Sequence, residues 1–155
     1  MIEDSANDRS KPFQRLPRSF SLKRKSLITP LFDRRRDDVG TLTRGCLRIV
    51  YRVVPREQLA KGVPLQVGFA PGRIAGAVRR NRIKRLLREV YRVHQSDLVD
   101  LFSGRDDTLT MMIVYRGDGD DEEDLHKRIA ADLPPLLSAL HDREGETSTS
   151  AERRE

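Results

Sequence analysis

The chain has 155 residues, a formal net charge of +6, 37% hydrophobic and 35% charged residues. That is enough apolar material for one domain of ordinary size with solvated ends, and too little for two. A single cysteine, Cys46, excludes an intramolecular disulfide and any thiol-built zinc or redox centre and points to a reducing cytoplasm, while no apolar run approaches the roughly 20 residues that cross a bilayer, so no membrane partner is expected.

In chain order, residues 1–20 mix charge with Pro12 and Pro17 and few aliphatics, and are expected to be a disordered tail; the polar start, MIEDSANDRSKPF, does not read as a secretory signal. Ser21 to Arg36 (SLKRKSLITPLFDRRR) places Leu27, Ile28, Leu31 and Phe32 at helical spacing. Pro30 leaves two readings of that helix: Ser26 caps it and the proline falls in or just past the first turn, or Thr29 caps it and Pro30 takes the first helical position. Cys46 to Val54 (CLRIVYRVV) alternates, with Leu47, Ile49, Tyr51 and Val53 on one face and Arg48, Val50 and Arg52 on the other, the pattern of a half-buried strand. Leu65 to Ala70 (LQVGFA) repeats it and ends at Pro71-Gly72.

A helix is expected from about Ala77 to His94. A polar loop containing Gly104 then leads to a strand over Leu109–Tyr115, and a last helix runs from about Asp121 to Asp142. The acids of Asp118 to Asp124 suit that helix's N-terminus better than a metal site, because Gly117 and Gly119 break any regular ligand spacing. Pro134-Pro135 should kink or break it, and residues 143–155, with nothing apolar larger than Ala151, read as a second tail. The order is that of a small α+β domain over residues 21–142.

The helix over 77–94 carries the functional signal. Arg79 to Arg92 (RRNRIKRLLREVYR) holds seven bases and one acid, Glu89, whereas residues 93–155 hold seven bases and sixteen acids. At about 100° per residue, Ile83, Leu86, Leu87, Val90, Tyr91 and His94 form one apolar face, and Asn81, Arg85, Arg88 and Arg92 stack within a sector roughly 60° wide on the opposite side, flanked by Arg82 and Lys84. A solvated face would interleave acids at the i, i+4 positions; this one does not, so like charges repel one turn apart unless a polyanion lies against them. Guanidinium groups grip phosphate bidentately, which accounts for arginine over lysine. Charge does not choose between DNA and RNA, although the near-absence of base-reading side chains beyond Asn81 tilts toward structured RNA.

The string Gly76-Ala77-Val78-Arg79-Arg80-Asn81-Arg82-Ile83-Lys84-Arg85-Leu86-Leu87-Arg88-Glu89 resembles the signature helix of the bacterial ribonuclease P protein family. Supporting features occur in order: a basic N-terminal helix ending Leu31-Phe32, the strand ending Ile49-Val50-Tyr51, and Val67-Gly68-Phe69 before the signature. The resemblance spans about residues 20–141. It implies an αβββαβα fold with a left-handed βαβ crossover, where right-handed crossovers are the rule. It also implies a protein cofactor of a catalytic RNA that removes the 5′ leader of precursor tRNA. The RNA subunit would hold the Mg²⁺ ions and perform the hydrolysis, and the protein would contribute no catalytic residue and bind no metal or DNA.

By position, Arg80, Asn81, Arg82, Lys84, Arg85 and Arg88 match the motif that contacts the catalytic RNA, and Arg92 continues their stripe. Phe32 and Tyr51 match positions in the leader-binding cleft, where rings stack on single-stranded bases; the alternative for both is core packing, which strand parity favours for Tyr51. Ile28 stands where the family often has a second cleft aromatic, Pro30 intrudes on the first helix, and Ala70-Pro71-Gly72-Arg73 replaces a more usual Ser-Val-Ser-Lys-Lys type of stretch. His94, His126 and His141 are scattered, and His94 shares the apolar stripe, so none reads as a general base. No phosphate-binding loop or nucleophile elbow is present. The competing readings are a structural RNA-binding protein of the ribosomal kind and a nuclease in its own right.

Overall fold

The computed structural model describes residues 16–59, 62–117 and 122–154. The elements in chain order are α1 (Lys25–Ile28, continued by a 3-10 turn over Thr29–Phe32), β1 (Val39–Arg44), β2 (Leu47–Pro55), β3 (Leu65–Ala70), α2 (Ala77–His94), α3 (Ser96–Ser103), β4 (Asp107–Tyr115) and α4 (Glu122–Arg154). The four strands form one mixed sheet in the order β1-β2-β4-β3. β2 pairs antiparallel with both β1 and β4, and β3 runs parallel to β4. A parallel pair needs a crossover, and α2 and α3 supply it. The result is the expected small α+β domain, with one strand and one short helix more than the periodicity alone indicated.

Strand parity sorts the core into two. Leu47, Ile49 and Tyr51 of β2 face the side covered by Ile83, Leu87, Val90 and Tyr91 of α2 and by the leucines of α4. Val50 and Val54 face the other side, where Leu27 and Leu31 of α1 cover only part of the sheet. Arg48 and Arg52 share that second, partly open face.

Several expectations change in three dimensions. β1 (VGTLTR) is too polar to announce itself, but it pairs residue for residue with β2, Gly40 lying opposite Tyr51. The hairpin turns on Gly45, whose φ of +54° suits glycine, and Asp132 of α4 accepts the Cys46 amide there at 3.1 Å. The polar loop expected before β4 contains α3, which buries Leu98, Val99 and Phe102. The long first helix is reduced to two short turns: Pro30 stands in the 3-10 segment, and Asp33 closes it by donating its amide to the Pro30 carbonyl.

Pro134 and Pro135 do not break α4, which continues to Arg154. Leu133, Leu136, Leu137 and Leu140 are all buried, and that packing holds the helix through the two missing hydrogen bonds. Where a tail was expected from residue 143, Glu144 is buried beside Arg105. Of the N-terminal tail, residues 1–15 lie outside the described residues. Leu16 and Phe20 pack on the core, and Leu22 donates to the Val67 carbonyl, so residues 16–23 form a strap along β3. The acids Asp118–Asp121 also lie outside the described residues. Among the described residues no helix is long and apolar enough to cross a membrane.

Candidate functional site

Helix α2 begins without help. Gly76, at φ +93°, offers no side-chain cap, and the first turn holds Arg79 and Arg80 but no acid. Basic side chains around the free amides of a helix N-terminus oppose its dipole and favour an anion there. The two-sided reading of the helix holds: Ile83, Leu87, Val90 and Tyr91 are buried, and Arg80, Asn81, Arg82, Lys84, Arg85 and Arg88 are exposed.

Not all of the stripe is equally available. Arg80 donates to the Ile74 carbonyl at 3.3 Å, tying the helix to the loop before it. Arg88 lies over the Phe69 ring, 5.8 Å from its centroid, and Phe69 in turn meets Tyr91 edge-on. Arg92 is paired with Glu89, whose carboxyl it holds below the ordinary range, so the last arginine of the stripe is the most nearly neutralised. Asn81, Lys84 and Arg85 have no side-chain partner among the described residues. His94, which the wheel places on the apolar stripe, is exposed: α2 ends there, and its Nδ1 approaches the Val90 carbonyl at 2.9 Å.

Two concavities bracket this helix. One, of about 470 Å³, runs between the stripe and the N-terminal strap, with Arg85, Arg88 and Arg92 on one wall and Arg18 and Lys23 on the other. The second, of about 750 Å³, collects Arg48 from β2, Arg73 from the loop after β3, Arg79 from α2 and Arg116 from the end of β4. Gly72 makes that assembly possible. Its φ is +72°, and a Cβ there would strike the Tyr115 carbonyl, so only glycine lets the loop lie against the end of β4 and set Arg73 near Arg116. Arg116 is held in turn by its amide, which donates to the Cys46 carbonyl at 2.7 Å. The two concavities add six cations to the stripe, Arg18, Lys23, Arg48, Arg73, Arg79 and Arg116; only Arg79 belongs to the basic block of the sequence, and the fold brings the others to it.

The residues expected to form the leader cleft do not all meet. Phe32 is 50% exposed at the end of α1, and Ile28 is half-buried on the same element. Tyr51 is 5% exposed on the opposite face of the sheet, where Arg143 donates to its hydroxyl at 3.0 Å. Parity decides this, because Tyr51 shares a face with Leu47 and Ile49. Tyr51 is therefore a core residue, and among the described residues the exposed ring on the α1 side of the sheet is Phe32.

Among the described residues no three His, Cys, Asp or Glu side chains converge as a metal site. Cys46 is half-buried, its thiol near Asp132 and pushed up to about 11 by burial, so it is poorly nucleophilic.

Comparison with known proteins bears on the same residues. A sequence profile of the family described as Ribonuclease P matches residues 16–127, which contain the strap, α2 and the arginine concavity. The chain is 32% identical over 131 residues to a protein of Chlorobaculum tepidum named ribonuclease P protein component, covering 81% of this chain and 82% of that one. A protein of the same name from Desulfovibrio desulfuricans is 32% identical over 126 residues, covering 81% of this chain and 85% of its own length. One from Porphyromonas gingivalis is 40% identical over 70 residues, or 44% of this chain and 50% of that one. No solved structure matches.

Proposed function

The chain belongs to the ribonuclease P protein family, and from that membership we propose that it is the protein cofactor of a catalytic RNA in the cytoplasm, aiding Mg²⁺-dependent removal of the 5′ leader from precursor tRNA. The arrangement of cations is the observation that carries the reading. A stripe of guanidinium groups on a rigid helix, walled by Arg18 and Lys23, suits the phosphates of a folded RNA. The open sheet face combines one exposed ring, Phe32, with the arginine concavity at Arg48, and suits a single strand: the ring stacks on a base while the arginines hold the backbone. In this reading the RNA subunit binds the Mg²⁺ and carries out the hydrolysis, and the protein positions the leader and screens its charge.

Reconstitution tests it. Purified protein added to a bacterial ribonuclease P RNA is expected to stimulate precursor tRNA cleavage at low Mg²⁺ and to cleave nothing alone. Cleavage without RNA would make the chain a nuclease, and failure to stimulate would favour a structural RNA-binding protein of the ribosomal kind. Within the stimulated enzyme, Phe32→Ala should weaken precursor tRNA binding by about 1–3 kcal/mol and leave mature tRNA binding nearly unchanged. Tyr51→Phe, which removes only the hydroxyl held by Arg143, should lower stability by about 0.5–1.5 kcal/mol without distinguishing the two ligands.

A further inference from the structure

Past Phe32 the chain turns through Asp33 to Arg36 and enters β1 at Val39. In that loop the Asp38 carboxylate receives three hydrogen bonds from two arginines. Arg36 grips it with Nε at 2.9 Å and Nη2 at 2.9 Å, and Arg52 of β2 reaches it with Nε at 2.8 Å. Bonds from Arg36 first, then Arg52, hold the Asp38 carboxyl far below the ordinary carboxylate range, so the group stays ionised at any physiological pH.

Ion pairs in contact with water are screened, and with the Asp38 side chain 43% exposed even this bridged arrangement adds only modestly to stability. Its place on the sheet explains it better. Arg52 lies on the same face of β2 as Arg48, four residues further along the strand, and Arg48 already lines the arginine concavity. The strand therefore presents both arginines on that face, one on either side of the buried Val50. Asp38 binds the Nε edge of both guanidiniums, which leaves the two Nη groups of Arg52, whose side chain is 17% exposed, and Nη1 of Arg36 without a hydrogen-bond partner among the described residues. Holding a long side chain in one orientation before a ligand arrives removes part of the entropy cost of binding.

We propose that Asp38 is a positioning residue which holds Arg52 and Arg36 to receive a phosphate of the single-stranded leader, extending the leader's track across the open face from the Arg48 concavity past Phe32 to the β1 side. The proposal rests on the leader-binding reading above. It has an unusual sign. Asp38→Asn raises the net charge by one, so if these arginines act only as diffuse charge, the variant binds RNA more tightly. If Asp38 positions them, the variant binds a long leader less tightly despite its added charge.

The experiment uses the holoenzyme reconstituted with the RNA subunit. It measures how much affinity is gained when a single-nucleotide leader is lengthened to about ten nucleotides. Asp38→Asn should reduce that gain several-fold. Arg52→Lys, which keeps the charge and loses the planar fork, should do the same, with melting temperatures unchanged for both proteins. An undiminished gain in both variants, or tighter binding by Asp38→Asn, overturns the proposal while leaving the leader reading intact. A wild-type holoenzyme that gains nothing from the longer leader overturns both.

Discussion

Replacing Arg85 and Arg88 together by alanine is expected to weaken binding of the RNA subunit by roughly tenfold and to flatten its salt dependence by about one to two units of slope. Each phosphate contact releases condensed counterions, so losing one arginine per phosphate subtracts nearly a unit from the slope of log affinity against log salt. The pair is chosen from the geometry. Arg85 has no partner among the described residues, and Arg88 is steadied by the Phe69 ring without being neutralised by it. Arg92, held by Glu89, would make a poorer probe. Stability should stay within about 0.5 kcal/mol of the parent, since both side chains are exposed. An unchanged slope, measured by titrating the RNA at several salt concentrations, would show that the stripe is merely solvated.

The opposite face of the same helix should respond in the opposite way. Leu87 is fully buried among the core side chains of α2 and the sheet, so Leu87→Ala removes apolar burial and leaves a cavity. The expected cost is about 2–5 kcal/mol, read as a fall in melting temperature of roughly 5–15 °C. The salt slope of RNA binding, measured well below the transition, should not move, because no phosphate contact is lost. A variant that kept its melting temperature would mean that α2 is not clamped to the sheet as described.

These two predictions use one helix because its two faces were already distinct in the sequence. Local periodicity reports burial wherever an element has one dry and one wet side, and α2 and β2 are such elements. The parity that puts Tyr51 with Leu47 and Ile49 came from the same source, and it placed Tyr51 in the core. Phe32 had no comparable pattern, because α1 is too short for its spacing to separate a packed ring from an exposed one.

Other parts were invisible for physical reasons. β1 has hardly any apolar periodicity, and its strand conformation comes from hydrogen bonds with β2. The register of the Pro134-Pro135 segment depends on four leucines pressed on the core, a gain that outweighs the local preference of proline to break a helix. α3 was legible in principle, because Leu98, Val99 and Phe102 lie at helical spacing, but the polar residues that flank them, Gln95 to Asp97 and Ser103 to Thr108, pointed to a loop.

The sequence by itself determined that this chain is an α+β domain with a two-sided basic helix, and its signature string placed it beside the ribonuclease P proteins, because charge density and short-range periodicity are written in consecutive residues. Only the tertiary structure decided where the other cations gather. Arg48, Arg73, Arg79 and Arg116 come from four separate segments, and Arg36, Asp38 and Arg52 from two; each group meets because β2 pairs with its neighbours and because Gly72 lets a loop lie against β4. Those meetings depend on contacts between residues far apart in the chain, and no local pattern of side chains specifies them.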